Sequence, residues 1–295
     1  MNANLPIWTP LSVDISSSNL SSFQEFVTNK TGHKFENYKA FHYWSVNELS
    51  DFWECIALFF KINFSKPYNY ILRSKKPFYK SEWFGNSMLS YVKHIERNFK
   101  TNENVILYRN EKQEDTCITW NSLFVKASEI KNELLNEGVK KGDCVVGYLS
   151  NHPIAIAAFL ATNSIGAVWS CCSPDFGIES VISRVGQLKP TVLIAIRDYS
   201  YNGKKYSLSE RVGSIKKAIP TIKTILYFET GFELWNLNTE RVISLDSVEV
   251  EYDHPIWVLY SSGTTGRPKS ITHRTGGMLM EHYKAIALHQ NLKHR

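Results

Sequence analysis

Apolar residues recur along this chain at changing intervals, and the change divides it. Residues 41–64 are aromatic-heavy, and Leu49, Phe52, Trp53 and Ile56 fall at helical spacing behind Ser45 or Asn47, either of which can cap a helix. With Trp44, Phe59 and Phe60 they read as core packing rather than a cofactor box. From Ile118 the pattern becomes regular. Leu123, Ala127, Ile130 and Leu134 repeat at three- and four-residue steps as far as Gly138, where a helix would stop. Residues 144–149 read as a strand, and Asn151 and Pro153 open a helix through Phe159 and Leu160. A short strand at 167–169 precedes a helix on Ile178, Val181, Ile182, Val185 and Leu188, ended by Pro190. A strand at 191–196, a helix on Leu208, Val212, Ile215 and Ile219, and a strand at 221–228 complete the run. Strand and helix alternate with short connections, which predicts an α/β domain with a largely parallel sheet. Residues 256–260 are a later strand, and 276–290 suit a final helix.

Composition narrows the class. With 295 residues, 43% of them apolar and 21% charged, the chain has the balance of a soluble globular protein of one large or two ordinary domains. The net charge of +6 is spread among acids, so nucleic acid is not an expected partner. Five cysteines form an odd set without metal-ligand spacing, which favours reduced thiols. Residues 1–9 carry neither a basic start nor an apolar core, and the longest apolar patch, at 56–60, is too short to span a bilayer. The expectation is a cytoplasmic protein with no membrane partner.

One stretch carries candidate chemistry: Tyr260-Ser261-Ser262-Gly263-Thr264-Thr265-Gly266-Arg267-Pro268-Lys269-Ser270. Its glycines permit tight turns that present N–H groups, its hydroxyls donate hydrogen bonds, and Lys269 supplies a point charge. That chemistry suits a polyphosphate. A polar surface loop rich in glycine is the alternative from composition alone. A Walker-type loop is disfavoured, because the glycine expected before the lysine is Pro268, which has no N–H to offer.

The same stretch resembles the signature loop of the adenylate-forming superfamily, which reads roughly [YF]-[ST]-S-G-[ST]-T-G-x-P-K. The resemblance implies that Ser261, Ser262, Gly263, Thr264, Thr265, Gly266 and Lys269 wrap the ATP phosphates and stabilise departing pyrophosphate. Trp44-Ser45-Val46, Phe52-Trp53, Trp83-Phe84, residues 166–177 and residues 276–282 look like the acetoacetyl-CoA synthetase branch. That branch implies acetoacetate, ATP and coenzyme A as substrates, Mg²⁺ with the nucleotide, and acetoacetyl-CoA, AMP and diphosphate as products. Lys204 and Lys205 fall where relatives present basic residues to CoA, and a lysine-bearing turn is the plainer reading. Trp169 and Phe176 are expected in the core, Asp175 as a helix cap, and His273 either near the phosphates or structural.

Where the branch reads Trp-Phe-Pro-Gly, this chain has Trp83-Phe84-Gly85-Asn86, and an Asn and a Glu of the following segment are replaced. The expected layout is a family-specific region at 1–117 and an incomplete α/β AMP-binding domain at 118–295. The family's adenine, ribose and C-terminal catalytic-lysine motifs are not found in the sequence. The expectation is therefore an N-terminal portion of a ligase, inactive alone and with exposed apolar surface. A non-catalytic form that binds nucleotide weakly or binds a full-length partner is the alternative, and acetate is the alternative substrate.

Overall fold

A computed structural model of the chain describes residues 8–100, 102–229, 231, 235, 243–261 and 266–293. The chain divides into two compact units, residues 1–88 with 276–295 and residues 89–275.

In the first unit, helices α1 (Ser12–Ser16), α2 (Asn19–Thr31), α3 (Tyr38–Asn47) and α4 (Leu49–Phe59) precede a hairpin of β1 (Tyr70–Arg73) and β2 (Glu82–Gly85). Its aromatic stripe is core, as the spacing suggests. Phe23 is fully buried, with the rings of Phe41, Phe52 and Phe59 at 6.0, 6.0 and 5.2 Å in edge-on contact. The expected caps differ. Ser45 and Asn47 lie inside α3, and their side chains donate back to the carbonyls of His42 and Tyr43. Glu48 occupies the N-cap of α4 instead and makes no side-chain cap bond.

The second unit follows a short β3 (Met88–Leu89) and begins with α5 (Tyr91–Glu96). Next come a hairpin of β4 (Asn104–Arg109) and β5 (Asp115–Thr119), and then α6 (Trp120–Asn136). The predicted periodicity of α6 holds, with Leu123, Ala127, Ile130 and Leu134 all buried. Thr119 caps its start by accepting from the Ser122 N–H, and Gly138 follows its end at φ +75°. Each of these buried leucines and isoleucines contributes about 1.5–3 kcal/mol of transfer free energy.

The alternation then runs β6 (Cys144–Tyr148), α7 (Pro153–Ser164), β7 (Val168–Cys172), α8 (Ile178–Val185) and β8 (Val192–Ala195). A hairpin of β9 (Asp198–Tyr201) and β10 (Lys204–Ser207) leads to α9 (Ser209–Ala218) and β11 (Thr224–Tyr227). Last in this unit come β12 (Val250–Glu251), β13 (Pro255–Ser261) and β14 (Lys269–Arg274); α10 (Thr275–Tyr283), continued by a π-helical turn over Lys284–His289, belongs from Gly276 on to the first unit. Of these strands β9 pairs with β10 and β12 with β3, while six form one sheet, ordered β11-β8-β6-β7-β13-β14. The first five are parallel and β14 is antiparallel. This is the expected α/β architecture, with helices packed on a largely parallel sheet. Proline placement holds at α7, where Pro153 opens the helix, but His152 and not Asn151 is the cap, its Nδ1 accepting from the Ile154 N–H at 3.1 Å.

Candidate phosphate site at the β13–β14 turn

Ile256 and Val258 bury one face of β13 in the sheet, and Tyr260 lies on that same face at the end of the strand. The Tyr260 hydroxyl donates to the Arg184 carbonyl at 2.9 Å, and burial pushes its phenol up to about 12. Ser170 on β7 donates to the Val258 carbonyl at 2.8 Å, fastening β13 where Trp257 is paired with Trp169. The strand that delivers the loop is therefore held on both sides.

Ser261 is the last residue of β13 and Lys269 the first of β14, and the two are directly paired across the ladder. Ser262, Gly263, Thr264 and Thr265 lie outside the described residues. Gly266 stands at φ +101°, a conformation that favours glycine. Lys269 is exposed. A Walker loop joins a strand to a helix, whereas this loop joins two antiparallel strands. The topology thus excludes the Walker arrangement independently of Pro268. Residues 260–270 contain two cations and no carboxylate, which leaves an anion as the chemically matched guest.

Residues that the sequence did not single out hold the turn in place. The carboxamide nitrogen of Gln187 donates to the Pro268 carbonyl at 3.0 Å and to the Ser183 carbonyl at 2.7 Å, while Arg267 Nε approaches the same Ser183 carbonyl at 3.4 Å. The contacts of Gln187 with Pro268 and of Arg267 with Ser183 bridge more than eighty residues, so no local pattern announces them. The loop between β7 and α8 is pinned as well: the Tyr148 hydroxyl lies 2.9 Å from the carbonyls of both Pro174 and Phe176, and Arg211 donates to Pro174 at 3.1 Å.

Several expected roles change. Asp175 does not cap α8; Gly177 holds that position, and Asp175 instead accepts from the Ser173 hydroxyl. Trp169 is buried as expected, but Phe176 is exposed, with the Arg184 guanidinium 4.9 Å above its ring. His273 shares the strand and face of Lys269 four residues on, about 13 Å away along β14, and packs beside Trp257. Lys204 and Lys205 begin β10 directly after a turn at Asn202 and Gly203, both at positive φ, which is the geometry of a tight hairpin. Lys205 pairs with Asp198 at 3.1 Å. This hairpin follows β8, three strand spacings or about 14 Å from β13 along the C-terminal edge of the sheet.

A family model described as AMP-binding enzyme matches residues 95–294. The chain belongs to the AMP-binding enzyme family. Within it, the acetoacetyl-CoA synthetase of Macaca fascicularis is 33% identical over 97% of this chain and 45% of its own length. The acetoacetyl-coenzyme A synthetase of Rhizobium meliloti is 30% identical over 99% of this chain and 47% of its own length. The solved structure of acetoacetyl-CoA synthetase from Streptomyces lividans superposes with a TM-score of 0.87 at 35% identity, covering 98% of this chain and 46% of that one. The chain spans a little under half the length of these relatives. Their likeness to it is not confined to the β13–β14 turn, since it reaches through the aromatic helical region before residue 95.

Proposed function

We propose that this chain carries the phosphate-binding part of an ATP-dependent acetoacetate–CoA ligase. The observation that supports it most is a likeness to acetoacetyl-CoA synthetases over 97% of the chain, joined to a phosphate-type turn at the C-terminal end of a sheet strand, where open α/β sheets bind ligands. In this reading an acetoacetate carboxylate oxygen bonds to the α-phosphorus of ATP. The bond from that phosphorus to the bridging oxygen breaks, and diphosphate leaves with the electron pair. The CoA thiol then attacks the acyl carbon, loses its proton and displaces AMP.

Negative charge grows on the departing diphosphate, so preorganised donors are worth most there. Ser261, Ser262, Gly263, Thr264, Thr265, Gly266 and Lys269 take that role. Lys204 and Lys205 are proposed to meet the CoA phosphate. Among the described residues no cluster of three His, Cys, Asp or Glu side chains stands ready to hold a metal. Mg²⁺ is proposed as the counter-ion of ATP, where it neutralises phosphate charge.

Exchange of labelled pyrophosphate into ATP tests the substrate. In a chain extended to the full length of these relatives, exchange that depends on acetoacetate and not on acetate is expected. Exchange with acetate alone would move the chain to another acyl specificity, and MgATP binding without any exchange would reduce it to a nucleotide-binding protein.

A further inference from the structure

We propose that Gln187 is a positioning residue of the phosphate site, clasping the end of α8 to the base of β14 so that Lys269 is presented in one place. This rests on the reading of the β13–β14 turn as the ATP-phosphate site. Gln187 lies in the 3-10 turn Gly186–Leu188 that continues α8. A primary carboxamide nitrogen carries two hydrogens, and both are used: one reaches back to Ser183 in its own helix at 2.7 Å, the other crosses to Pro268 at 3.0 Å. The Pro268 carbonyl belongs to the peptide that begins Lys269, so a bond there fixes the backbone from which the lysine side chain springs.

Two further contacts flank it. Tyr260 reaches the Arg184 carbonyl from the outgoing strand, and Arg267 approaches the Ser183 carbonyl from the returning limb. Ser183 and Arg184 serve through backbone carbonyls, which any residue would supply. Gln187 serves through its side chain, so its identity matters. The contact joins residues 81 positions apart, on a helix and on a strand edge, and the same amide is anchored within its own helix. That anchoring lowers the rotamer freedom lost when the bridge forms.

The test is MgATP affinity, measured by calorimetry on the whole 295-residue chain, with melting curves alongside. Methionine at this position keeps the length and bulk but has no donor, while lysine restores donors to both carbonyls. Gln187→Met is expected to weaken MgATP binding about fivefold, a size fitting one neutral hydrogen bond, in a chain that melts somewhat earlier but still cooperatively. Gln187→Lys is expected to recover most of that loss. A Gln187→Met chain binding MgATP as tightly as the unaltered protein would overturn the clasp and leave the phosphate reading standing. A Gln187→Lys chain as weak as Gln187→Met would overturn the donor role. No MgATP binding by the unaltered chain would overturn the phosphate reading and the clasp with it.

Discussion

At the scale of single residues, environment decides which side chains are available for chemistry. Burial pushes the thiol of Cys55 up to about 11, Cys144 to about 12, Cys171 to about 12 and Cys172 to about 11, so all four resist forming thiolates. Cys117 is exposed on β5. A thiol-reactive dye near neutral pH should therefore label one cysteine quickly in the folded protein and all five in denaturant; fast labelling of two or more in the folded state would contradict these positions. Tyr260 gives a second check. Its hydroxyl anchors β13 to the Arg184 carbonyl, so Tyr260→Phe should lower the unfolding free energy by about 1 kcal/mol, seen as an earlier urea midpoint with an unchanged slope. Legibility is uneven at this scale. Trp169 reads correctly as core, whereas Asp175 and Asn151 look like caps but lose those positions to Gly177 and His152. Short polar residues before a helix are interchangeable in sequence, and only the entering backbone decides which of them meets the free N–H groups.

At the scale of elements, the buried parallel strands and their helices are plain in the sequence because each presents a continuous apolar face to the sheet. The hairpin of β4 and β5 is not. Leu107 is 80% exposed, so the strand has no clean alternation to read. Its turn is built by Asn110, whose side-chain oxygen accepts from the N–H groups of Lys112 and Glu114, with no glycine to mark it. The antiparallel β14 is hidden for the same reason, since its residues 269–272 are exposed and mixed in character. Close packing at the middle of the sheet makes a testable demand on β6. A β-carbon added at Gly147 would stand 2.8 Å from the Trp169 ring and 3.0 Å from Cys171 Sγ. Gly147→Ala should destabilise the protein by about 1–3 kcal/mol, measured by urea unfolding, and an unchanged midpoint would show that the Trp169 ring can move aside.

At the scale of the whole molecule, family membership and the pH dependence of stability follow from different features of the fold. His94 donates through Nδ1 to the Ser90 carbonyl, and His254 through Nε2 to the Gly166 carbonyl, each at 2.8 Å. Burial is the main cause that holds both below the ordinary value of 6.5. The folded protein keeps them neutral while the unfolded chain takes up protons. Their contribution is therefore complete above pH 6.5 and declines as pH falls below it. Urea midpoints should drop between neutral pH and about pH 5.5, and the drop should shrink in His254→Gln; a flat profile would contradict the burial of these rings.

The central claim is that the turn between β13 and β14 receives the phosphates of ATP, and the affinity of the 295-residue chain for MgATP tests it most directly. Lys269→Ala removes the cation that begins β14, away from the buried core, so the fold should persist. Loss of a charged hydrogen bond corresponds to a weakening of about tenfold or more. Binding that falls by that much in a chain that still folds is the predicted result, and equal affinity in the two proteins would show that the turn is not the phosphate site.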